Sequence, residues 1–182
     1  MARTPTTEPE DARFLAALRS GDERAFARLV LDYQDRVHNV VFRLLGSREE
    51  ARDVTQDVFI TVYEKISRFR GDSKLSTWIF RIAANQAKNR IKYLSRRHDR
   101  DRDCYDDMLV TPSSGRLNAD MPRPDQVVAG RRLEAFVQRA LMLLDADQRE
   151  AVVLRDIQGM PYEEIAVVVD ASLGTVKSRL HR

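Results

Sequence analysis

The placement of proline constrains the fold of this chain more than any other feature of its sequence. Six prolines occur among 182 residues, at positions 5, 9, 112, 122, 124 and 161, so none lies between residues 10 and 111. Proline breaks helix interiors because it lacks a backbone N–H and its ring clashes with the preceding turn. Apolar residues in this stretch recur at steps of three and four, which is the helical period. The sequence therefore predicts a helical first half.

Four helices are predicted before residue 98. The short first helix contains Phe14, Leu15 and Leu18, and the apolar faces of the next three follow the same period. Residues that favour helix termini mark the ends, because short polar side chains cap free N–H groups and glycine tolerates the left-handed backbone of a helix end. These residues are Asp22, Gly46, the capping box of Ser47 and Glu50, and Ser76.

Residues 98–125 interrupt the helical pattern. They contain three prolines, seven Asp and four Arg, with a net charge of −3, a composition typical of a flexible linker. A second helical pattern begins at residue 126, and Asp145 with Gln148 predicts a further capped helix that runs to Gly159. We therefore predict an all-α fold of two small helical domains, residues 11–97 and 126–182, joined by a flexible acidic linker over residues 98–125.

The last 22 residues have the spacing of a helix-turn-helix. Pro161 suits the start of a short helix, Asp170 suits a left-handed turn, and Ser172 can cap a second helix. Residues 167–169, all valine, are also compatible with a short strand, but they lie inside the helical pattern. The second helix offers free N–H groups and a basic outer face to DNA, unless that face is simply solvated. Its candidate DNA-binding residues are Ser172, Gly174, Thr175, Lys177, Ser178, Arg179, His181 and Arg182.

A second candidate DNA surface lies between residues 68 and 97, which hold nine Lys or Arg and one acid. Positive charge neutralises phosphates, aromatic rings stack on unpaired bases and asparagine recognises base edges, so this mixture suits melted DNA. One alternative is that the basic residues form only a solvated face. The other is that the aromatic residues Phe69, Trp78 and Phe80 belong to the core. The candidate residues are Phe69, Arg70, Gly71, Asp72, Ser73, Lys74, Trp78, Arg81, Asn85, Lys88, Asn89 and Lys92.

The helix that precedes this surface is acidic. Residues 48–66 carry a net charge of −2, and their polar set includes Asp53, Gln56 and Asp57. An acidic helix face beside a basic DNA face suggests a protein partner with basic helices, although plain solvation accounts for it equally well.

Several classes of protein are disfavoured by the composition. No apolar run approaches the ~18 residues of a membrane helix, and the N-terminus lacks the apolar segment of a secretory signal. A single cysteine, Cys104, fits a reducing cytosol, so we expect a cytoplasmic protein. The three histidines lack the spacing of metal ligands, and the aspartates of residues 101–107 lie in the polar linker. We therefore predict that the protein binds no metal or cofactor and is not an enzyme.

The order of four segments resembles one known family. These segments are GDERAFARLVLDYQDRV, ARDVTQDVFITVYEKISRFRGDSKLSTWIFRIAANQAKN, LDADQREAVVLRDIQGMPYEEIA and GTVKSRLHR. Together they are similar to the extracytoplasmic-function (ECF) group of bacterial sigma-70 family factors, from about Asp11 to Arg182.

The resemblance implies a protein that binds core RNA polymerase and directs it to promoters. Asp53, Gln56 and Asp57 would face the polymerase clamp helices, and the second domain would meet the flap. Residues 69–74 would capture a flipped base of the −10 element, residues of the basic helix from Trp78 to Lys92 would support melting, and residues 172–182 would recognise the −35 element. The linker would thread polymerase channels that otherwise carry RNA.

The resemblance also implies regulation. Such factors are usually held inactive by an anti-sigma protein until a stress signal releases them, and we expect this chain to be a monomer when free of partners. Family members generally continue past the position of Arg182. The resemblance therefore implies either a sequence that is cut short inside the recognition helix or weakened −35 contacts.

A stand-alone helix-turn-helix regulator of the response-regulator type is the alternative. Its second half would look much like residues 145–182, but it would not contain RFRGDSKLSTW followed by a basic, asparagine-bearing helix. Binding to naked promoter duplex without polymerase would favour that alternative.

Overall fold

The computed structural model describes the backbone of residues 9–101 and 124–181 and the side chains of residues 12–97 and 132–181. Every regular element in these ranges is helical, which confirms the all-α fold. The helices are α1 (Pro9–Arg19), α2 (Glu23–Leu45), α3 (Arg48–Lys65), α4 (Leu75–Asp101), α5 (Pro124–Leu143), α6 (Ala146–Val152), α7 (Tyr162–Val169) and α8 (Leu173–His181). A 3₁₀ turn, Ile66–Arg68, follows α3, and a π turn, Val153–Ile157, continues α6.

The predicted caps of α2 are confirmed. The backbone N–H of Ala25 donates to Asp22 Oδ1 at 2.9 Å, so Asp22 satisfies one of the free donors at the start of the helix. Gly46 ends the helix with φ 80°, in the left-handed region that glycine adopts without a Cβ clash.

Two predicted capping pairs are corrected. The N–H of Glu50 donates to Ser47 Oγ at 3.3 Å, but the Glu50 carboxylate binds Arg90 of α4, so the capping box is only half formed. Asp145 precedes α6 without a side-chain cap hydrogen bond, so Asp145 and Gln148 do not form the expected reciprocal pair. In the first case a tertiary ion pair has displaced a local hydrogen bond that the sequence pattern predicts.

The first helical unit, α1–α4, is built around the apolar stripes of α2, α3 and α4. The stripes recur every three or four residues and are fully or almost fully buried, so each helix hides one face against the other two. Leu18 of α1 joins the same core and fixes the first helix on the bundle. The buried side chains of the three stripes include Leu29, Val37, Val40, Val41, Val54, Val58, Val62, Ile79, Ala83 and Ala87.

The second helical unit, α5–α8, ends in the predicted helix-turn-helix. Ile165 and Val168 of α7 and Val176 of α8 are buried together, and Asp170 turns the chain with φ 53°. Residues 167–169 are helical, so the strand interpretation is wrong. Pro161 is the residue before α7 rather than its first residue, one position from the expected start.

The helices extend into the segment that the sequence assigns to the linker. α4 continues to Asp101 and α5 begins at Pro124, whereas the predicted linker spans residues 98–125. Residues 102–123 lie outside the described residues, as does Arg182, so the structure does not test the predicted linker or the last DNA-binding residue. Among the described helices, none is both long and apolar enough to cross a membrane.

The two helical units pack against each other, with α4 against α7 and α2 against α5 and α6. Arg149 of α6 is central to this contact because its guanidinium donates to the carbonyl of Leu44 in α2 at 2.9 Å. The same group donates to the carbonyls of Leu141, Met142 and Leu144 at 2.9, 3.3 and 3.0 Å. One buried arginine therefore donates to carbonyls at the ends of two helices, where intrahelical donors run out. The Leu141 carbonyl also accepts from the N–H of Leu144 at 3.2 Å.

Candidate nucleic-acid interface

The loop between α3 and α4 begins with a buried aromatic ring. Phe69 is 6% exposed, and its ring centroid lies 5.1 Å from that of Trp78 in the first turn of α4. The Phe69 side chain therefore belongs to the core and supports Trp78, which corrects its assignment as a residue that faces DNA bases. Phe80 is fully buried, as the core alternative predicts. Trp78 itself is partly exposed.

The rest of this loop is open to solvent or nearly so. Gly71 has φ 85°, a left-handed conformation that lets the loop turn sharply between Phe69 and α4. Arg70 and Asp72 are exposed, and Ser73 is partly exposed. The loop thus presents polar groups and backbone to solvent on a short, sharply turned segment.

An asparagine-bearing face of α4 continues from this loop. Asn85, Asn89 and Lys92 are exposed, and their spacing of four and three residues places them on one side of the helix, below Trp78. This face offers amide groups that can recognise base edges and a cation that can neutralise a phosphate.

The remaining cations of the candidate surface contact acids of the second helical unit. Lys74 Nζ lies 2.6 Å from Glu164 Oε1, and Lys88 Nζ lies 2.8 Å from Glu150 Oε2. Arg81 Nη2 lies 3.9 Å from Asp170 Oδ1. Lys74, just before α4, and Arg81 and Lys88 within it therefore follow one edge of the helix, and all three contact acids there.

Glu150 occupies an unusual position for a carboxylate, because it is 1% exposed. Burial raises its pKa above the ordinary value, and the neighbouring Lys88 ammonium acts in the opposite direction. The Lys88 ammonium therefore offsets part of the cost of burying this carboxylate.

The acidic residues of α3 point away from this contact. Asp53, Gln56 and Asp57 are all exposed, as a partner-binding face requires. Arg90 Nη2 lies 3.8 Å from Asp53 Oδ2, so part of this acidity is offset by α4. The described residues thus leave the predicted polymerase-binding side chains accessible.

The start of α8 has the predicted cap. The N–H of Thr175 donates to Ser172 Oγ at 3.1 Å, and the two hydroxyl oxygens lie 2.9 Å apart. The cap uses one of the free donors that the sequence assigns to a phosphate, while Gly174 is exposed beside it.

Farther along α8, Lys177, Ser178 and His181 are exposed. Arg179 differs, because Nη2 lies 2.6 Å from Asp147 Oδ2 of α6 and the side chain is only 22% exposed. Arg179 therefore also fixes α8 against α6, in addition to the DNA contact that the sequence predicts for it.

Sequence reasoning missed the acids and the arginine that join the two units. Glu150, Glu164 and Asp170 come from a segment, residues 126–170, whose net charge of −3 stands out against the +8 of residues 67–97. This charge contrast is visible in the sequence, but net charges do not show which acid pairs with which cation across the molecule. Within the described ranges, no group of three or more His, Cys, Asp or Glu side chains is arranged to hold a metal ion.

Comparison with known proteins gives the family. Residues 29–97 match the family described as Sigma-70 region 2, and residues 137–182 match Sigma-70, region 4. The chain is 35% identical to the RNA polymerase sigma-H factor of Pseudomonas aeruginosa, over 97% of this chain and 91% of the relative. It is 36% identical to the ECF RNA polymerase sigma-E factor of Escherichia coli K12, over 94% of this chain and 89% of the relative.

Solved structures agree with this relationship. CnrH in complex with the cytosolic domain of CnrY matches with a TM-score of 0.68 and 25% identity, over 94% of this chain and 90% of that one. The sigma factor RpoE in complex with the anti-sigma factor NepR from Bartonella quintana matches with a TM-score of 0.67 and 25% identity, over 86% of this chain and 90% of that one.

The chain therefore belongs to the sigma-70 family, as an ECF sigma factor. This family consists of transcription initiation factors. A stand-alone helix-turn-helix regulator is not favoured, because the matches extend over the first helical unit as well as the second.

Proposed function

We propose that this protein binds core RNA polymerase, recognises −35 and −10 promoter elements and initiates transcription from them. The observation that carries the proposal is the joint presence of two separate candidate DNA surfaces in one chain. One is the exposed loop and asparagine-bearing face of α4, and the other is the exposed basic face of α8. Each lies inside the segment that matches the corresponding sigma-70 region.

The −10 element is assigned to the first surface. Trp78 at its edge can stack on a base, Asn85 and Asn89 can recognise base edges, and Arg70 with Lys92 can neutralise phosphates. Residues 71–73 form the loop around the unpaired base, and Lys74, Arg81 and Lys88 add phosphate contacts when their present partners leave. Phe69 supports Trp78 from the core.

The −35 element is assigned to α8. Lys177, Ser178 and His181 are exposed along the helix that would enter the major groove. Ser172, Gly174 and Thr175 lie at its N-terminus, where backbone donors and the helix dipole favour a phosphate. Arg179 contributes mainly by fixing the helix, since its guanidinium is bound to Asp147.

Core polymerase is assigned to the exposed acidic face of α3. Asp53, Gln56 and Asp57 suit the basic clamp helices by charge complementarity, and the second helical unit suits the flap. The segment between α4 and α5 would pass through the polymerase channels. Its acidity, a net −3 over residues 98–125, matches channels that otherwise carry RNA.

Regulation by an anti-sigma protein is part of the proposal. One of the two solved structures above is a sigma factor in complex with an anti-sigma factor, and the other is CnrH in complex with the cytosolic domain of CnrY. By analogy, this chain acts in the cytoplasm, is monomeric when free, and is held by such a partner until a stress signal releases it.

Run-off transcription with core polymerase tests the proposal. We expect purified protein and core enzyme to give defined transcripts from a library of genomic promoters, whereas core enzyme alone gives none. Absence of core binding, or of any promoter-specific transcript across the library, would contradict it.

Footprinting of variants tests the division between the two surfaces. Asn85→Ala and Asn89→Ala should impair opening around −10, whereas Lys177→Ala should weaken protection around −35. Gln34→Ala on α2 and Arg139→Ala on α5, both exposed, serve as matched controls. The same footprint defect in both sets would show that the assignment is wrong.

A further inference from the structure

The last residue of α1 lies beside the loop between α3 and α4. The guanidinium carbon of Arg19 is 6.0 Å from the centre of the Phe69 ring, within the range of a cation–π contact. The position that a Cβ would occupy at Gly71 is 3.6 Å from Arg19 Nη2, so the same group also rests against the turn of the loop. α1 carries none of the candidate DNA-binding residues, yet its last side chain stands next to the loop that the −10 proposal uses.

The fold holds the backbone of Arg19 in this place. Leu18, the residue before it, is 2% exposed and anchors α1 in the core. Just after it the chain turns at Gly21, whose φ is 81°. The N–H of Asp22 donates to the carbonyl of Ala17 at 3.0 Å, which closes the end of the helix. α1 also packs against the 3₁₀ turn that leads into the loop, so its end stays beside the loop.

The Arg19 guanidinium has donors to spare. Its side chain is exposed, and among the residues that the structure describes no acid forms an ion pair with it. Lys74, Arg81 and Lys88, by contrast, each contact an acid. The contact with Phe69 needs only part of the group, because a guanidinium carries five N–H donors in a planar fork. Such a fork binds two oxygens of one phosphate at once.

The loop itself supplies little charge for a DNA strand. Residues 69–73 contain one cation and one acid, Arg70 and Asp72, so their net charge is zero. Both side chains are exposed, and the next cation, Lys74, is ion-paired. A base that enters the loop brings its sugar and phosphate to the rim of the loop, where the acid repels the phosphate. Arg19 places a positive charge at this rim from outside the loop.

We infer that Arg19 binds a backbone phosphate of the single-stranded −10 DNA at this loop, which makes the end of α1 part of the promoter-binding surface. The inference rests on the proposed role of residues 69–74 in −10 recognition. It goes further, because it adds a helix and a phosphate contact that the loop and α4 do not provide. In the competing explanation, the arginine only stabilises the C-terminal end of α1 and packs on Phe69.

The salt dependence of DNA binding distinguishes the two explanations. The probe is a labelled single-stranded oligonucleotide, the non-template −10 strand of a promoter that gives a run-off transcript, and the binder is holoenzyme. Arg19→Gln should lower the slope of log affinity against log salt by about 0.7 and weaken binding about fivefold near 0.1 M salt, since one phosphate contact is lost. Arg13→Gln is the matched control, because Arg13 is exposed on another side of α1. Equal slopes in the two variants would overturn the inference.

A modified probe locates the contact. Each phosphate of the oligonucleotide is replaced in turn by an uncharged methylphosphonate. Wild-type holoenzyme should lose affinity at a phosphate next to the captured base, and Arg19→Gln holoenzyme should not lose affinity at that same position. An identical pattern of losses in both proteins would overturn the inference.

The conservative variant separates charge from structure. Arg19→Lys keeps the charge, so it should retain the salt slope of the wild-type protein. Weaker binding by Arg19→Gln with an unchanged slope, or a slope reduced equally in Arg19→Lys, would overturn the inference. Run-off transcription by the wild-type protein with core enzyme separates the two proposals. Its failure removes the proposed function, whereas success with equal slopes for Arg19→Gln and Arg13→Gln removes only the phosphate contact.

Discussion

Arg149 shows how one side chain can tie two helical units together. Arg149 is 9% exposed, and its guanidinium donates to carbonyls at the end of α5 and to that of Leu44 near the end of α2. Only a planar fork of several N–H groups can reach carbonyls in these different directions. Lysine has the same charge but lacks this geometry.

We therefore expect Arg149→Lys to lower the free energy of unfolding by about 1–3 kcal/mol, because buried carbonyls lose their partners. Urea unfolding followed by circular dichroism measures it. The control is Arg139→Lys on the exposed side of α5, which should change stability by less than about 0.5 kcal/mol. Equal losses in the two variants would show that the fork geometry is unimportant.

Glu150 makes stability depend on pH. Its pKa is raised in the folded state by burial, with Lys88 opposing the shift, so the folded protein binds a proton at Glu150 more readily than the unfolded chain. The contribution of Glu150 to stability is then fully present below its unfolded pKa and is lost as pH rises through the folded pKa.

Glu150→Gln removes this titration, so the wild-type protein should gain stability relative to the variant as pH falls from 7 toward the ordinary Glu range near 4.3. Paired urea unfolding curves across this range measure the difference. The exposed substitution Glu163→Gln provides the control and should show a much smaller trend. A difference between wild type and Glu150→Gln that is constant with pH would contradict the prediction.

At the scale of the element, α8 depends on its cap. Ser172 Oγ accepts from the N–H of Thr175 and so fixes the start of the helix that carries Lys177 and His181. A nine-residue helix cannot form by itself in water, so this local bond adds to the packing of the buried Val176.

Ser172→Ala should therefore lower the free energy of unfolding by about 1 kcal/mol and weaken −35 duplex binding by the holoenzyme. Chemical unfolding and a duplex-binding assay measure the two effects. Ser178→Ala, an exposed serine inside α8, should leave the unfolding free energy nearly unchanged. Similar stability losses for both variants would argue against a capping role.

α4 illustrates which parts of an element the sequence can predict. The period of three and four correctly predicted the buried positions Ile79, Ala83 and Ala87, because side chains at that spacing share one face of a helix. It did not predict that Lys74 and Lys88 would be bound by acids. A basic face looks the same in sequence whether water, DNA or another helix covers it.

At the scale of the whole molecule, the ion pairs between α7 and the basic side of α4, Lys74 with Glu164 and Arg81 with Asp170, should respond to salt. Raising the ionic strength from about 0.1 M to about 1 M shortens the Debye length from about 10 Å to about 3 Å and weakens partly exposed pairs. We expect amide hydrogen exchange in α7 of the wild-type protein to rise with salt. The variant Glu164→Gln/Asp170→Asn lacks both acids, so its exchange should start higher and change less with salt. An identical salt response in both proteins would contradict this.

The net charge of the protein becomes informative only when it is divided along the chain. The total of +3 conceals +8 over residues 67–97, +3 over residues 171–182 and −3 over residues 126–170. In the structure, three acids of residues 126–170 contact cations of the first candidate DNA surface.

The sequence by itself determined the all-α fold, most helix ends, the helix-turn-helix and the two candidate DNA surfaces. These features depend on neighbours within about four positions along the chain, and such neighbours are fixed by helical geometry. Only the tertiary structure decided that the Phe69 side chain is buried in the core. It also decided that the Glu50 carboxylate binds Arg90 instead of capping α3, and that α7 packs against α4. Thr77 and Glu164 are 87 positions apart, and their hydrogen bond depends on how whole helices pack. Packing at that distance is set by the complete core, which no local pattern contains.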